Sequence, residues 1–114
     1  MPNKSFKVRA SSMTREERKL RSHITHIVSR YSFLHGTLNV KERTCGKSNC
    51  KCVRGEKHSS LYIVNRRDGE LRQIFVPSAR ETEVRQWVVR YQEINKLLDD
   101  ISDFYWAKIQ NREE

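Results

Sequence analysis

The sequence predicts an α+β fold: an N-terminal helix, a small three-stranded antiparallel sheet with a Cys3His loop, and a long C-terminal heptad helix packing antiparallel on the first. Three observations predict it. Apolar residues recur every three or four positions towards both ends of the chain, they alternate every second position in between, and an Asp-Gly pair separates two apolar runs as a hairpin turn would.

Residues 1–13 mix cations with small polar residues and have no apolar period, so a disordered basic arm is expected there. A single α-β-β-β-α domain is expected over 14–114. Thr14 and Glu17 form a T-x-x-E capping box, which opens a helix expected over 14–35. Leu20, Ile24, Ile27, Tyr31 and Leu34 give it one apolar face, and Gly36 is expected to end it. Arg15, Arg18, Lys19 and Arg21 crowd its first two turns, where they meet the positive end of the helix dipole. An external anion would relieve that conflict.

The sheet and metal loop are expected over 37–77. Leu38, Val40, Glu42 and Thr44 alternate with Asn39, Lys41 and Arg43, a half-buried strand with a cationic face. Leu61–Val64 and Leu71–Val76 read as the second and third strands, with Asp68-Gly69 in the turn between them. Pro77 cannot donate to a ladder and closes the sheet, and Ser78 with Glu81 offers a second capping box for a helix over 78–112. That helix carries Val84, Trp87, Tyr91, Ile94, Leu98, Ile101 and Tyr105 at alternating spacings of 3 and 4, with Val88, Leu97 and Phe104 widening the stripe. About 30 helical residues span roughly 45 Å, more than a sheet of short strands covers. Trp87, Tyr91, Ile94, Leu98, Ile101 and Tyr105 are therefore candidates for an interface with the first helix, a second subunit or another protein.

At 114 residues with 23 Lys and Arg against 14 Asp and Glu, the chain carries a net charge of +9, which favours a polyanionic partner. The charge is uneven: residues 1–80 hold 18 cations and 6 acids, whereas 81–114 hold 5 and 8. Three cysteines, an odd number, and the lack of an apolar stretch near the length of a bilayer span give the expectation of a cytoplasmic chain with reduced thiols and no membrane partner.

All three cysteines fall in one run, Cys45, Cys50 and Cys52, followed by His58 in the spacing C-x4-C-x-C-x5-H. Three thiolates and an imidazole are a tetrahedral zinc set, although structural zinc motifs more often use C-x2-C. Zinc is the expected cofactor; a reduced metal-free loop and redox chemistry are the alternatives. The loop is also basic. Lys41, Arg43, Lys47, Lys51, Arg54, Lys57, Arg66, Arg67 and Arg72 lie on the expected sheet or its loops, and Lys4, Lys7, Arg9, Arg15, Arg18 and Lys19 on the arm and first helix. These fifteen are the candidate nucleic-acid contacts, the alternative being a solvated surface. Tyr62 and Phe75 are expected in the core, and would stack on bases if they faced outward.

His23, His26 and His35 read as surface residues, and Asp99, Asp100 and Asp103 as a solvated acidic face. No phosphate-binding glycine loop, nucleophile elbow or H-E-x-x-H run is present, and no catalytic residue is expected.

From Cys45 to the middle of the long helix, the run C-G-K-S-N-C-K-C-V-R-G-E-K-H, then L-Y-I-V, D-G-E-L-R, F-V-P and V-x-x-W-V-x-x-Y, resembles an uncharacterised family of small prokaryotic proteins marked by C-G-K-x-x-C-x-C-x-x-G-x-x-H. Ser59-Ser60 stands where that family tends to have Gly-Pro. Many of its members travel with mobile elements, so the resemblance implies a prokaryotic or phage source and a role beside a transposase, a recombinase or an RNA-guided nuclease. It carries no activity. The resulting expectation is a non-catalytic nucleic-acid-binding accessory protein acting through a basic zinc-pinned hairpin. The alternative is a protein-interaction adaptor or oligomerisation module acting through the long helix.

Overall fold

The elements follow the order α1 (Arg15–Arg30), β1 (Thr37–Arg43), β2 (His58–Arg67), β3 (Glu70–Val76), a 3-10 turn (Ser78–Arg80) and α2 (Glu81–Gln110). The structure is a computed structural model that describes residues 7–9, 12–43 and 58–111. These residues form an α+β fold made of two compact units, one built from the chain up to Arg30 and from Glu93 onward, the other from Tyr31–Gln92. Helix α2 contributes its first twelve residues to the second unit and the remainder to the first.

In the first unit α1 and the C-terminal part of α2 run antiparallel, with Ile27 against Ile94 and Leu97 at one end and Glu17 against Tyr105 at the other. Leu20 and Ile24 complete the apolar cluster, two turns and one turn before Ile27 on the same face. Thr14 makes the forward half of its capping box, its Oγ1 accepting the Glu17 N–H at 3.1 Å. The Glu17 carboxylate does something else. It is only 1 % exposed and accepts hydrogen bonds from Tyr105 Oη at 2.7 Å and Arg21 Nε at 2.8 Å. Arg21 Nη2 also donates to Tyr105 Oη, at 3.2 Å. Burial works against the ionised carboxyl, but the bonds from Tyr105 and Arg21 outweigh it and hold its pKa below the ordinary value. The bond to Glu17 in turn pushes the Arg21 guanidinium up, against a smaller effect of burial.

The second unit is a sheet in the order β1-β2-β3, antiparallel throughout. Asp68 and Gly69 turn β2 into β3 with φ of 52° and 81°, the two positive values that a two-residue hairpin of this hand requires. Buried Leu61, Val76 and Val84 form the core of this unit, with Leu34, Leu38, Ile63 and Trp87 packed against it, so the first turns of α2 cover one side of the sheet.

Three expected boundaries differ. Helix α1 stops at Arg30 instead of 35, because Leu34 leaves the helical ladder: its N–H donates to the Trp87 carbonyl at 3.0 Å and its side chain joins the sheet core. Gly36 accordingly ends no helix. It lets the chain pass close to β2, where an added Cβ would lie 2.6 Å from Ile63 Cδ1 and 3.2 Å from the Val64 carbonyl oxygen. The Ser78-Glu81 box is replaced by a 3-10 turn closed by backbone bonds from Arg80 to Pro77 and from Glu81 to Ser78.

The heptad stripe also drifts. Leu97 and Val88 take buried positions, while Leu98 is 52 % exposed, since a straight helix of 3.6 residues per turn does not keep a seven-residue repeat on one line. Among the described residues, no helix is long and apolar enough to cross a membrane.

Two stability predictions follow from these contacts. Because the folded pKa of Glu17 is depressed, its contribution is present above the ordinary value of 4.5 and is lost as pH falls through the folded value. Glu17→Gln should cost about 1–3 kcal/mol at pH 7, and urea melts should show the gap between variant and parent narrowing as pH falls below 4.5. Gly36→Ala should cost about 1–3 kcal/mol by overpacking, read as a lower urea midpoint with an unchanged slope.

Candidate nucleic-acid interface

Antiparallel pairing puts directly opposed residues on one face, and in β2 and β3 it opposes Tyr62 to Phe75 and Val64 to Gln73. In β1 and β2 it opposes Lys41 to Ser60 and Asn39 to Tyr62. All of these lie on the face opposite the one that presents Leu38, Leu61, Ile63 and Val76 to the core. The Tyr62 and Phe75 rings meet edge to face with centroids 5.8 Å apart. Lys41 reaches diagonally from β1: its ammonium sits 4.8 Å from the Tyr62 ring centroid and donates to Gln73 Oε1 at 3.0 Å. Lys41 therefore occupies part of the Tyr62 ring surface, while Phe75 stays 52 % exposed beside it. This placement corrects the expectation that both aromatics are core residues. The physical reason is parity: Leu61 and Ile63 fill the space under α2, and their immediate neighbours must point the other way.

The expected sheet cations divide between the two faces. Lys41 and Arg66 fall on the open face, and Arg66 Nη1 donates to the Gly69 carbonyl at 3.3 Å. Arg67 and Arg72 fall on the face that carries Ile63. Arg72 Nε donates to Asn65 Oδ1 at 2.8 Å, and Asn65 Nδ2 donates to the His35 carbonyl at 3.2 Å, so Arg72 ties the sheet to the segment before it. His35 itself stacks on Tyr91, with centroids 4.4 Å apart and planes 10° from parallel.

In the other unit, Lys7, Arg9, Arg15, Arg18 and Lys19 are all exposed. His23 Nε2 lies 3.5 Å from the Glu93 carboxylate, and Lys96 pairs with Asp100 at 3.0 Å, which places that acidic run on the solvated face.

Of the candidate interface residues on α2, Trp87 packs on the sheet core, Tyr91 on His35 and Ile94 on Ile27. Tyr105 is bonded to Glu17, Ile101 is half-buried and Leu98 is exposed. Lys4, Cys45, Lys47, Cys50, Lys51, Cys52, Arg54 and Lys57 lie outside the described residues. Arg43 and His58 are paired strand positions, the last of β1 and the first of β2. Among the described residues no group of three or more His, Cys, Asp or Glu converges as a metal site would.

Gln73 is the contributor to this face that sequence reasoning missed. The Asp-Gly turn held the signal: a two-residue loop pairs Arg67 with Glu70, and counting back from there gives Val64 opposite Gln73 and Tyr62 opposite Phe75.

Residues 13–86 match the family described as domain of unknown function (DUF6788). The chain belongs to this family. The matched span takes in α1, the whole sheet and the first turns of α2. No curated protein and no solved structure matches the chain.

The two faces should answer differently to mutation. Leu61→Ala should cost about 2–5 kcal/mol, whereas Phe75→Ala, which removes one exposed ring and its edge contact, should cost about 1 kcal/mol. Equal losses in chemical denaturation would contradict the assignment of faces.

Proposed function

We propose that this DUF6788 protein is a non-catalytic nucleic-acid-binding protein whose contact surface is the open face of its sheet. The observation that carries the proposal is Phe75, exposed beside the Tyr62 ring that the Lys41 ammonium lies over. A base stacks on an exposed ring whatever its identity, and an ammonium next to the ring meets the phosphate that follows the base. Stacking needs unpaired bases, so single strands and RNA loops are the ligands. The excess of cations over residues 1–80 supplies the long-range attraction.

The loop between β1 and β2 joins this reading. It leaves the sheet at Arg43 and returns at His58, and it carries Lys47, Lys51, Arg54 and Lys57 together with Cys45, Cys50 and Cys52. Zinc held by the three thiolates and His58 would pin those cations at the end of the sheet. The resemblance to mobile-element proteins favours work beside a larger nucleic-acid enzyme, inside the cell. A second reading, an adaptor acting through α2, is favoured by the exposure of Leu98, Trp106 and Ile109, which recur on one helical face.

The test is binding of the purified chain to single-stranded DNA, duplex DNA and a structured RNA across a salt series, with zinc content measured on the same sample. Single strands or looped RNA should bind more tightly than duplex. Phe75→Ala should lose about 1–3 kcal/mol at every salt concentration. Lys41→Gln should flatten the salt slope by about one. Full affinity in Phe75→Ala, or no binding at low salt, would overturn the proposal and leave the α2 adaptor.

A further inference from the structure

The first unit contains a cavity of about 670 Å³ bounded by residues from three separate stretches of chain: Lys7, Val8 and Arg9 from the arm, Arg21 from α1, and Tyr105 and Lys108 from α2. Among the described residues that line it, four carry positive charge and none is acidic. Their convergence is unexpected on composition, since Lys108 comes from the part of the chain where acids outnumber cations. The chain spends several contacts to hold them there. Ser12 turns the arm back onto Arg9, its N–H and its hydroxyl both donating to the Arg9 carbonyl, at 3.0 Å and 2.9 Å. Arg21 is anchored by Nε to Glu17 and by Nη2 to Tyr105, bonds that leave Nη1 out. Lys108 lies over the Tyr105 ring, its ammonium 5.1 Å from the centroid.

Glu17 balances one of the four charges through Arg21, so the cavity keeps an excess of about three like charges that repel one another at short range. A ligand with several negative charges close together removes that repulsion. Cations strung along a groove would suit a phosphodiester backbone, which carries one charge per residue. Here they line one open hollow whose size is within the range of small-molecule sites. Val8 and the Tyr105 ring add an apolar wall that a bare phosphate chain would leave unused.

We propose that this cavity binds a nucleoside polyphosphate, with Lys7, Arg9, Arg21 and Lys108 on the phosphate chain and Val8 and Tyr105 against the nucleoside. The site is built from residues of the first unit alone and does not depend on the nucleic-acid reading. Guanidinium and ammonium groups donate to phosphate oxygens in charge-assisted bonds, so affinity follows the number of phosphates.

Isothermal titration of the full chain with orthophosphate, inorganic triphosphate and ATP tests it. Inorganic triphosphate should bind one to one and about tenfold or more tightly than orthophosphate, and ATP more tightly still. Arg9→Gln, on an exposed side chain, and Lys108→Gln, on a half-buried one, should each weaken triphosphate about tenfold, with folding checked by circular dichroism. Lys41→Gln on the sheet should leave triphosphate binding unchanged. Three results would each overturn the proposal: no saturable binding of triphosphate, an equal loss in Lys41→Gln, or displacement of triphosphate by an oligonucleotide without terminal phosphates as effectively as by ATP.

Discussion

Asp68 and Gly69, both at positive φ, reverse β2 into β3 within two residues, and every pairing across that hairpin follows from the reversal. An L-residue other than glycine rarely takes this conformation, and Asp is among the few side chains that tolerate it. One residue more in the loop would shift the register and send the side chains of one strand to the opposite face. With the register as it is, Tyr62 faces Phe75 and Leu61 faces Val76. One pair is exposed or half-exposed and the other is buried, so a single turn decides which residues build a core and which are free to meet a ligand.

The second constraint is the carboxylate of Glu17. An ionised group so deeply buried is tolerated only where its lone pairs are filled and its charge is met, and Tyr105 and Arg21 do both. The same three residues fix the pairing of α1 with the end of α2 and hold Arg21 at the edge of the cationic cavity. Packing of Ile27 on Ile94 and Leu97 is non-directional and would allow neighbouring registers at modest cost; a buried hydrogen-bonded acid allows far fewer.

Much of the architecture was legible in the sequence. The 3-4 rhythm marked both helices, the change to a period of two marked β1, and Asp-Gly marked the hairpin, because each pattern reflects a local backbone geometry. The end of α1 was not legible. Tyr31 and Leu34 continue the helical period in sequence, and only the bond from Leu34 to Trp87, 53 positions away, takes the chain out of the helix. The role of Glu17 was hidden for a similar reason: a Glu three residues after a Thr reads as half of a capping box until Tyr105 is seen across from it. The two faces of β2 were ambiguous, since Leu61-Tyr62-Ile63-Val64 is apolar on both sides.

By itself, then, the sequence determined the fold class, the order of elements, the hairpin turn and the excess of positive charge, all properties of short windows or of simple sums. Tertiary structure decided which side of the sheet is covered, where α1 stops, which α2 residues are buried, and which cations share a surface. Lys41 and Gln73 lie 32 positions apart, and Lys7 and Lys108 about a hundred, yet each pair belongs to one small region of the molecule. Periodicity places a residue on a face of its own element; which other element arrives at that face depends on burial summed over the whole chain, and no local pattern records it.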